Sequence, residues 1–304
     1  MYRSILVPLD GSTFGEHALP AALSLARRSG ASLQVVLVHT AFVYVESGLI
    51  YDDRVDRQLR EQEQGYLESV VKRLKAASPV SVTWALRDGP VADGICEQVT
   101  ASGADLIVMT THGRGPLSRF WLGSVADNLV RRATVPVLLV RPQETVPDLT
   151  QELVFPHVFA PLDGSPLAEQ VLAQAEALGQ LFGADFTLLR IVKPVLFAGH
   201  DPTLWRDQAL GQPATEQLQA EARVYLEGVA ERMRAESLRV QTRVITNVQP
   251  AVAILEQSLE PPHGVIALAT HGRGGLTRAL LGSVADKVVR GATMPVLVCR
   301  PLPP

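Results

Sequence analysis

Two hydrophobic periods succeed one another along the chain. A β-rich apolar run ending at Asp10 gives way to a helical pattern carrying Ala18, Leu19, Ala22, Leu23 and Ala26. The unbroken apolar segment Leu33 to Val38 follows, of the kind buried on both faces in a parallel sheet. A long helix is expected next, with Val55, Leu59, Tyr66, Leu67, Val70, Val71 and Leu74 on one face and charges on the other. Val80 to Leu86 reads as a third strand, residues 91–102 as a third helix and Leu106 to Met109 as a fourth strand. After a glycine loop come a helix over Val125 to Arg132 and a fifth strand over Pro136 to Val140. Strict alternation of β and α predicts an α/β sandwich with a mainly parallel sheet and right-handed crossovers.

The whole succession occurs twice. THGRGPLSRFWLGSVADNLVRRATVPVLLVRP (111–142) and THGRGGLTRALLGSVADKVVRGATMPVLVCRP (270–301) share 22 of 32 positions, too many for two unrelated loops. SILVPLDGS (4–12) likewise matches HVFAPLDGS (157–165), and the second long helix carries Leu218, Ala222, Tyr225, Leu226, Val229 and Met233. Domains are therefore set at 1–143 and 153–304, joined by a polar, proline-containing linker over 144–152. The halves differ most at 41–53 and 194–213, long loops that are candidate lids or simple surface variation.

Composition narrows the partners. A chain of 304 residues suits two domains of about 150 residues. The net charge is −3 with both signs interspersed, and no Lys/Arg stripe matches a phosphate backbone, so nucleic acid is not an expected partner. No apolar run approaches the roughly 20 residues that span a bilayer, so no membrane partner is expected either. The first residues read as a strand rather than a secretion signal. Cys96 and Cys299 form neither a disulfide framework nor a metal motif, and a reducing cytoplasm is the expected setting.

In an open parallel sheet, ligands sit beyond the carboxyl ends of the strands where the strand order reverses. The loops most alike between the halves follow strand one, at Asp10 and Asp163, and strand four, at His112 and His271. If those strands are neighbours, the order is 3-2-1-4-5 and both loops border one crevice. The strand-four loops carry Gly113, Gly115 and Gly123 in one half and Gly272, Gly274, Gly275 and Gly282 in the other. Glycine lets backbone N–H groups approach an anion closely. Gly123-Ser124 and Gly282-Ser283 then open a helix whose unpaired N–H groups favour phosphate. Alternatively, or in addition, Ser124 and Ser283 are N-caps with Asp127 and Asp286 as capping partners.

Asp10 and Asp163 could accept from a ribose hydroxyl or an adenine amine or hold a metal-bound water; as turn residues they would do none of these. His112 and His271 could donate to a phosphate or be structural. Arg114 and Arg273 could screen phosphate charge or simply be solvated. A catalytic triad is rejected because G-x-S-x-G is absent. A dinucleotide fold is disfavoured because G-x-G-x-x-G is missing and the glycines follow strand four; the P-loop lysine is missing as well.

On these residues the chain resembles the universal stress protein family in tandem form, over essentially its whole length. The family's signature is Gly, two residues, Gly, nine residues, then Gly with Ser or Thr. Its second part stands twice, from Gly113 to Gly123-Ser124 and from Gly272 to Gly282-Ser283, together with VPLDGS and VPVLLVRP. The resemblance implies two Rossmann-like, adenine-nucleotide-hydrolase-like domains, each a five-stranded parallel sheet of order 3-2-1-4-5 flanked by helices. It implies ATP or another adenine nucleotide in the crevice, with or without Mg2+. Adenine would meet Val38 or Ile191, and the nucleoside would lie beside Pro8, Leu9 and Asp10 or Pro161, Leu162 and Asp163. Ribose and phosphates would be held by Met109, Thr110, His112 to Gly115 and the helix start Gly123, Ser124, Val125 and Ala126. In the second half these are Ala269, His271, Gly272, Arg273, Gly274, Gly282, Ser283, Val284 and Ala285.

The tandem chain would be a fused dimer joined through the fifth strands, with a homodimer of tandems also open. The function implied is nucleotide-dependent conformation in stress response or signalling, with little or no turnover. A slow ATPase or self-phosphorylating enzyme using Asp10 or Asp163 with Mg2+, and a scaffold with empty pockets, are the alternatives. One departure stands out: Thr110 and Ala269 replace the first signature glycine, putting a Cβ where backbone should lie close to ligand. Gly264 also stands where the first half has Asp105, a difference the sequence alone does not explain.

Overall fold

The computed structural model describes residues 2–40, 53–112, 122–143, 145–195, 208–260, 264–271 and 281–301. It divides into two compact units, Met1–Val154 and Phe155–Pro304. The first runs β1 (Ser4–Leu9), a 3-10 turn (Gly15–His17), α1 (Ala18–Ser29), β2 (Ser32–His39), α2 (Asp53–Ala77), β3 (Val82–Asp88), α3 (Val91–Ser102), β4 (Leu106–Thr110), α4 (Ser124–Arg132) and β5 (Val137–Val140). Its strands pair in parallel in the order β3-β2-β1-β4-β5. The second runs β6 (His157–Pro161), α5 (Pro166–Glu169), α6 (Leu172–Phe182), β7 (Asp185–Val192), α7 (Gln208–Ala235), β8 (Val240–Thr246), α8 (Pro250–Ser258), β9 (Val265–Ala269), α9 (Ser283–Gly291) and β10 (Val296–Cys299). Its order is β8-β7-β6-β9-β10, again parallel.

The central strands are apolar on both faces because helices cover both. Ile5, Leu6 and Val7 of β1 are fully buried, as are Ile107 and Val108 of β4 beside it. All of α1 from Ala18 to Ala26 is buried, and the helix stops at Gly30, whose φ of 71° turns the chain into β2. Gly183 ends α6 in the same way before β7. Cys299 is buried in β10, where loss of water pushes its thiol up to about 12. No described helix is long and apolar enough to cross a membrane.

Three local features depart from the periodic reading. In α2 the first turn buries Asp56 rather than Val55, which is 52% exposed, because Asp56 has polar partners inside. Residues 145–153 lie on the first unit: Leu153 N–H donates to Ser24 Oγ (2.9 Å), Arg28 pairs with Glu152 (2.6 Å), and His17 Nε2 reaches the Thr145 carbonyl (2.6 Å). The Asp105/Gly264 difference has a steric cause. Asp105 accepts from the N–H groups of Arg3 (2.9 Å) and Ser4 (3.2 Å), whereas a Cβ at Gly264 would lie 1.8 Å from the His157 carbonyl oxygen. The second unit brings the start of β6 so close that no side chain fits.

Candidate functional site

Asp10 and Asp163 follow the central strand of each unit. Asp10 Oδ1 accepts from Ser12 N–H (3.0 Å) and Ser12 Oγ (2.6 Å), and Asp163 Oδ1 from Ser165 N–H (2.9 Å) and Ser165 Oγ (2.6 Å). Each carboxylate thus commits one oxygen to its own turn. Ser165 in turn caps α5 by accepting from Ala168 N–H.

At the ends of β4 and β9 a buried threonine orients the following histidine. Thr111 Oγ1 lies 3.0 Å from His112 Nδ1 and Thr270 Oγ1 2.8 Å from His271 Nδ1. Each threonine is fixed by its own N–H, which donates to Val140 O (3.0 Å) or Cys299 O (2.8 Å) in the fifth strand of its unit. Both Nε2 atoms are buried without a hydrogen-bond partner among the described residues. Burial, helped by the charge of Arg141, lowers the His112 pKa, so that ring stays neutral at pH 7.

Gly123 and Gly282 act differently from the expectation that their own N–H groups face an anion. Those groups donate to Thr111 O and Thr270 O, both at 2.8 Å. Their φ values, −61° and −58°, suit any residue. Glycine instead permits close packing: a Cβ would come within 3.3 Å of Thr111 O or 3.1 Å of Thr270 O, to which the helix start would have to yield. The capping box is not formed either. Gly123 and Gly282 occupy the cap positions without a side-chain hydrogen bond, while Asp127 and Asp286 bind Arg131 and Arg290 (2.9 Å each). The first in-helix bonds start at Asp127 and Asp286. Among the described residues, the N–H groups of Ser124, Val125 and Ala126, and of Ser283, Val284 and Ala285, therefore have no acceptor within their helix.

In the second unit these pieces border a cavity of 910 Å3. Pro161, Leu162, Asp163, Ile191, Ala269, His271, Gly282, Ser283, Val284 and Ala285 all line it. In the first unit Pro8, Leu9 and Asp10, Val38, Met109, Thr110 and His112 sit at the carboxyl ends of three neighbouring strands, with Gly123 to Ala126 opening α4 beside them. Val38 packs against α3, where a Cβ on Gly94 would lie 3.1 Å from both its γ-carbons. Gly113, Arg114, Gly115, Gly272, Arg273 and Gly274 lie outside the described residues, as do 41–52 and 196–207, most of the two candidate lids.

Sequence reasoning missed a cluster that both units repeat. Tyr225 lines the second cavity and donates to Glu169 Oε1 (2.9 Å), whose other oxygen pairs with Arg232 (2.6 Å). In the first unit Arg73 binds Glu16 with two hydrogen bonds (2.9 and 2.8 Å), and the buried hydroxyl of the half-buried Tyr66 lies beside them. Burial raises both tyrosine pKa values, and the neighbouring glutamates add to it, so both stay neutral donors. The signal was present: Glu16/Glu169, Tyr66/Tyr225 and Arg73/Arg232 stand at matching places in the two halves. Arg190 was missed as well; it lines the second cavity and donates to the Leu162 carbonyl (3.2 Å).

Among the described residues, only the first unit carries a charged network at the end of its second strand. His39, 2% exposed, bonds Glu63 through Nδ1 (2.7 Å) and Asp56 through Nε2 (2.8 Å); Arg60 bridges Asp56 (2.8 Å) and Asp88 (2.7 Å). Burial alone would depress the His39 pKa, but the bonds to Asp56 and Glu63 outweigh it and the opposing charge of Arg60, so the pKa is raised. A raised folded-state pKa means the imidazolium's stabilisation is fully present below the ordinary value of 6.5 and is lost as pH rises through the folded-state value. The difference in denaturation midpoint between wild type and His39→Gln is therefore expected to be widest in mildly acidic buffer and to shrink as pH rises. Urea titrations across that range check this, and a gap that widened with pH would contradict the assignment.

Two open α/β units, each with its polar groups gathered where the central strand meets its neighbours, define a tandem protein of the doubly wound class. The chain belongs to the universal stress protein family, whose model matches residues 1–141 and again 155–300. A universal stress protein of Mycobacterium tuberculosis is 33% identical over 201 residues, covering 65% of this chain and 62% of the relative, so the match spans less than two thirds of that protein's length. One of Mycolicibacterium smegmatis is 28% identical over 98% of this chain and 97% of its own length. The crystal structure of a universal stress protein from Archaeoglobus fulgidus shares the fold with a TM-score of 0.70 at 21% identity, over 98% of this chain and 96% of that one.

Proposed function

We propose that this universal stress protein binds an adenine nucleotide, ATP in the first place, and acts in stress response or signalling through nucleotide-dependent conformation with little turnover. The observation that carries this reading is the second-unit cavity, on which every described residue expected to hold the ligand in that unit converges. Its volume lies within the range of about 300–1,000 Å3 usual for small-ligand sites. Leu218, Ile191, Pro250 and Ile254 give it an apolar wall suited to a base, while the N–H groups of Ser283 to Ala285 offer a phosphate site backed by the helix dipole. Asp163 Oδ1 is already engaged in its turn, which favours holding a nucleotide over activating water. In this reading the nucleotide binds with or without Mg2+, the setting is the cytoplasm, and the partner is a small molecule rather than nucleic acid or membrane.

Denaturing the purified protein and identifying released small molecules by mass spectrometry tests the proposal, together with calorimetric titration of ATP. Release of an adenine nucleotide, or micromolar ATP binding with negligible ADP formation, is expected. No nucleotide released and none bound would overturn it.

A further inference from the structure

We infer that the two clefts are not equivalent: the second unit holds the nucleoside polyphosphate, while in the first the His39–Glu63 bridge occupies the space where the base would lie. This rests on the nucleotide reading above and adds which site is used and what closes the other. The strands β2 and β7 are both eight residues long and end in His39 and Val192. The tyrosines at matching places, Tyr66 and Tyr225, are preceded three residues earlier by Glu63 and Ala222.

In the second unit Val192 and Ala222 both line the cavity. In the first, the side chains at those two positions meet at 2.7 Å. A gap open between strand and helix in one unit is thus crossed by a charged bridge in the other. The supporting groups change with it. Asp56, Arg60 and Asp88 have Thr215, Gln219 and Thr246 as counterparts, and Gln219 donates to Thr246 where Arg60 paired with Asp88. Every charge of the network is replaced by a neutral group, so the second unit has nothing to hold a bridge closed.

Charge separates the clefts further. Arg190, which reaches the Leu162 carbonyl beside Asp163, stands where β2 has Leu37, and Lys193 also lines the second cavity where the first unit has Thr40. An anionic ligand therefore meets two added cations in the second cleft against one added carboxylate, Glu221 in place of Gln62. In the first it meets three carboxylates against His39 and Arg60. Opening the first cleft would require breaking the hydrogen bond between the buried His39 and the partly buried Glu63, which a base could not replace in kind.

The experiment uses the full chain and ATP. Equilibrium dialysis of wild type is expected to show a single site per chain, and photolabelling with 8-azido-ATP followed by peptide mapping is expected to mark peptides from 155–304. Val192→His and Ala222→Glu together with Thr215→Asp, Gln219→Arg and Thr246→Asp, which builds the bridge and its supporting charges into the second unit, should weaken ATP binding by about tenfold or more. His39→Val with Glu63→Ala should add a second equivalent. If that variant does not fold by circular dichroism, the wild-type labelling and the bridge-building variant decide. Two equal sites in wild type, label confined to first-unit peptides, or undiminished binding in the bridge-building variant would each overturn this inference while leaving nucleotide binding standing. No ATP bound by any form would overturn the nucleotide reading and this one with it.

Discussion

Gly264→Ala is expected to lower the stability of the second unit by about 3 kcal/mol or more, a severe cost for adding one methyl group. The added Cβ would sit 1.8 Å from the carbonyl oxygen of His157 and 2.6 Å from its carbon, well inside any allowed contact. Neither partner is a flexible side chain that can swing away. His157 begins β6 and Gly264 immediately precedes β9, strands that pair through Val158 with Val265 and Phe159 with Ile266. Relief requires parting two central strands or tilting the start of one. His157 is further held by Nε2 against Thr187 Oγ1 at 2.8 Å, which ties it to β7. Urea denaturation gives the global change, and hydrogen exchange read peptide by peptide locates it. Faster exchange is expected in peptides from 155–304 and none of note in 1–154, where Asp105 fills the equivalent place. A change below about 0.5 kcal/mol, the range of an ordinary surface substitution, would mean that the two strands are not so close.

Gly282→Val is expected to weaken ATP binding by about tenfold or more, and Gly282→Ala by much less. The residue closes α9 onto the end of β9 through its N–H to Thr270 O at 2.8 Å, and a Cβ would lie 3.1 Å from that same oxygen. Alanine asks the helix start to yield by a few tenths of an ångström. Valine adds γ-methyl groups that push Ser283, Val284 and Ala285 away from His271, and the three N–H groups no longer converge with the rest of the cavity. The loss comes from displaced donors rather than from a side chain occupying the phosphate's place. Titration calorimetry on both variants, with circular dichroism as a check on folding, tests the ordering; equal affinity in wild type and the valine variant would sink the assignment of this helix start.

The alternation of strands and helices was legible because each element buries a face whose period is written locally. The helix expected over 91–102 is α3, Val91–Ser102, and the apolar run Leu33 to Val38 lies within β2. What escaped depends on partners far away in sequence. Asp56 displaced Val55 from the interior because His39, seventeen residues earlier, offers it a hydrogen bond. Gly264 answers a carbonyl on another strand. The loops at the crevice were legible from their repetition, but their internal bonding was not: Gly-Ser looked like a cap with its hydroxyl engaged, whereas a bare glycine takes the cap and turns its N–H back to the strand. The tyrosine, glutamate and arginine cluster was hidden differently. Its members are spread over a turn and a long helix, so each one, taken singly, passes for an ordinary helix residue.

The threonine before each histidine has a mechanical meaning. Its main chain is fastened to the fifth strand of its unit, through Val140 or Cys299, and its side chain to the imidazole, so it joins the two. The ring is thereby linked to that strand through a single residue. In the proposed nucleotide reading, a ligand that turned the imidazole would pull on the strand through that one threonine.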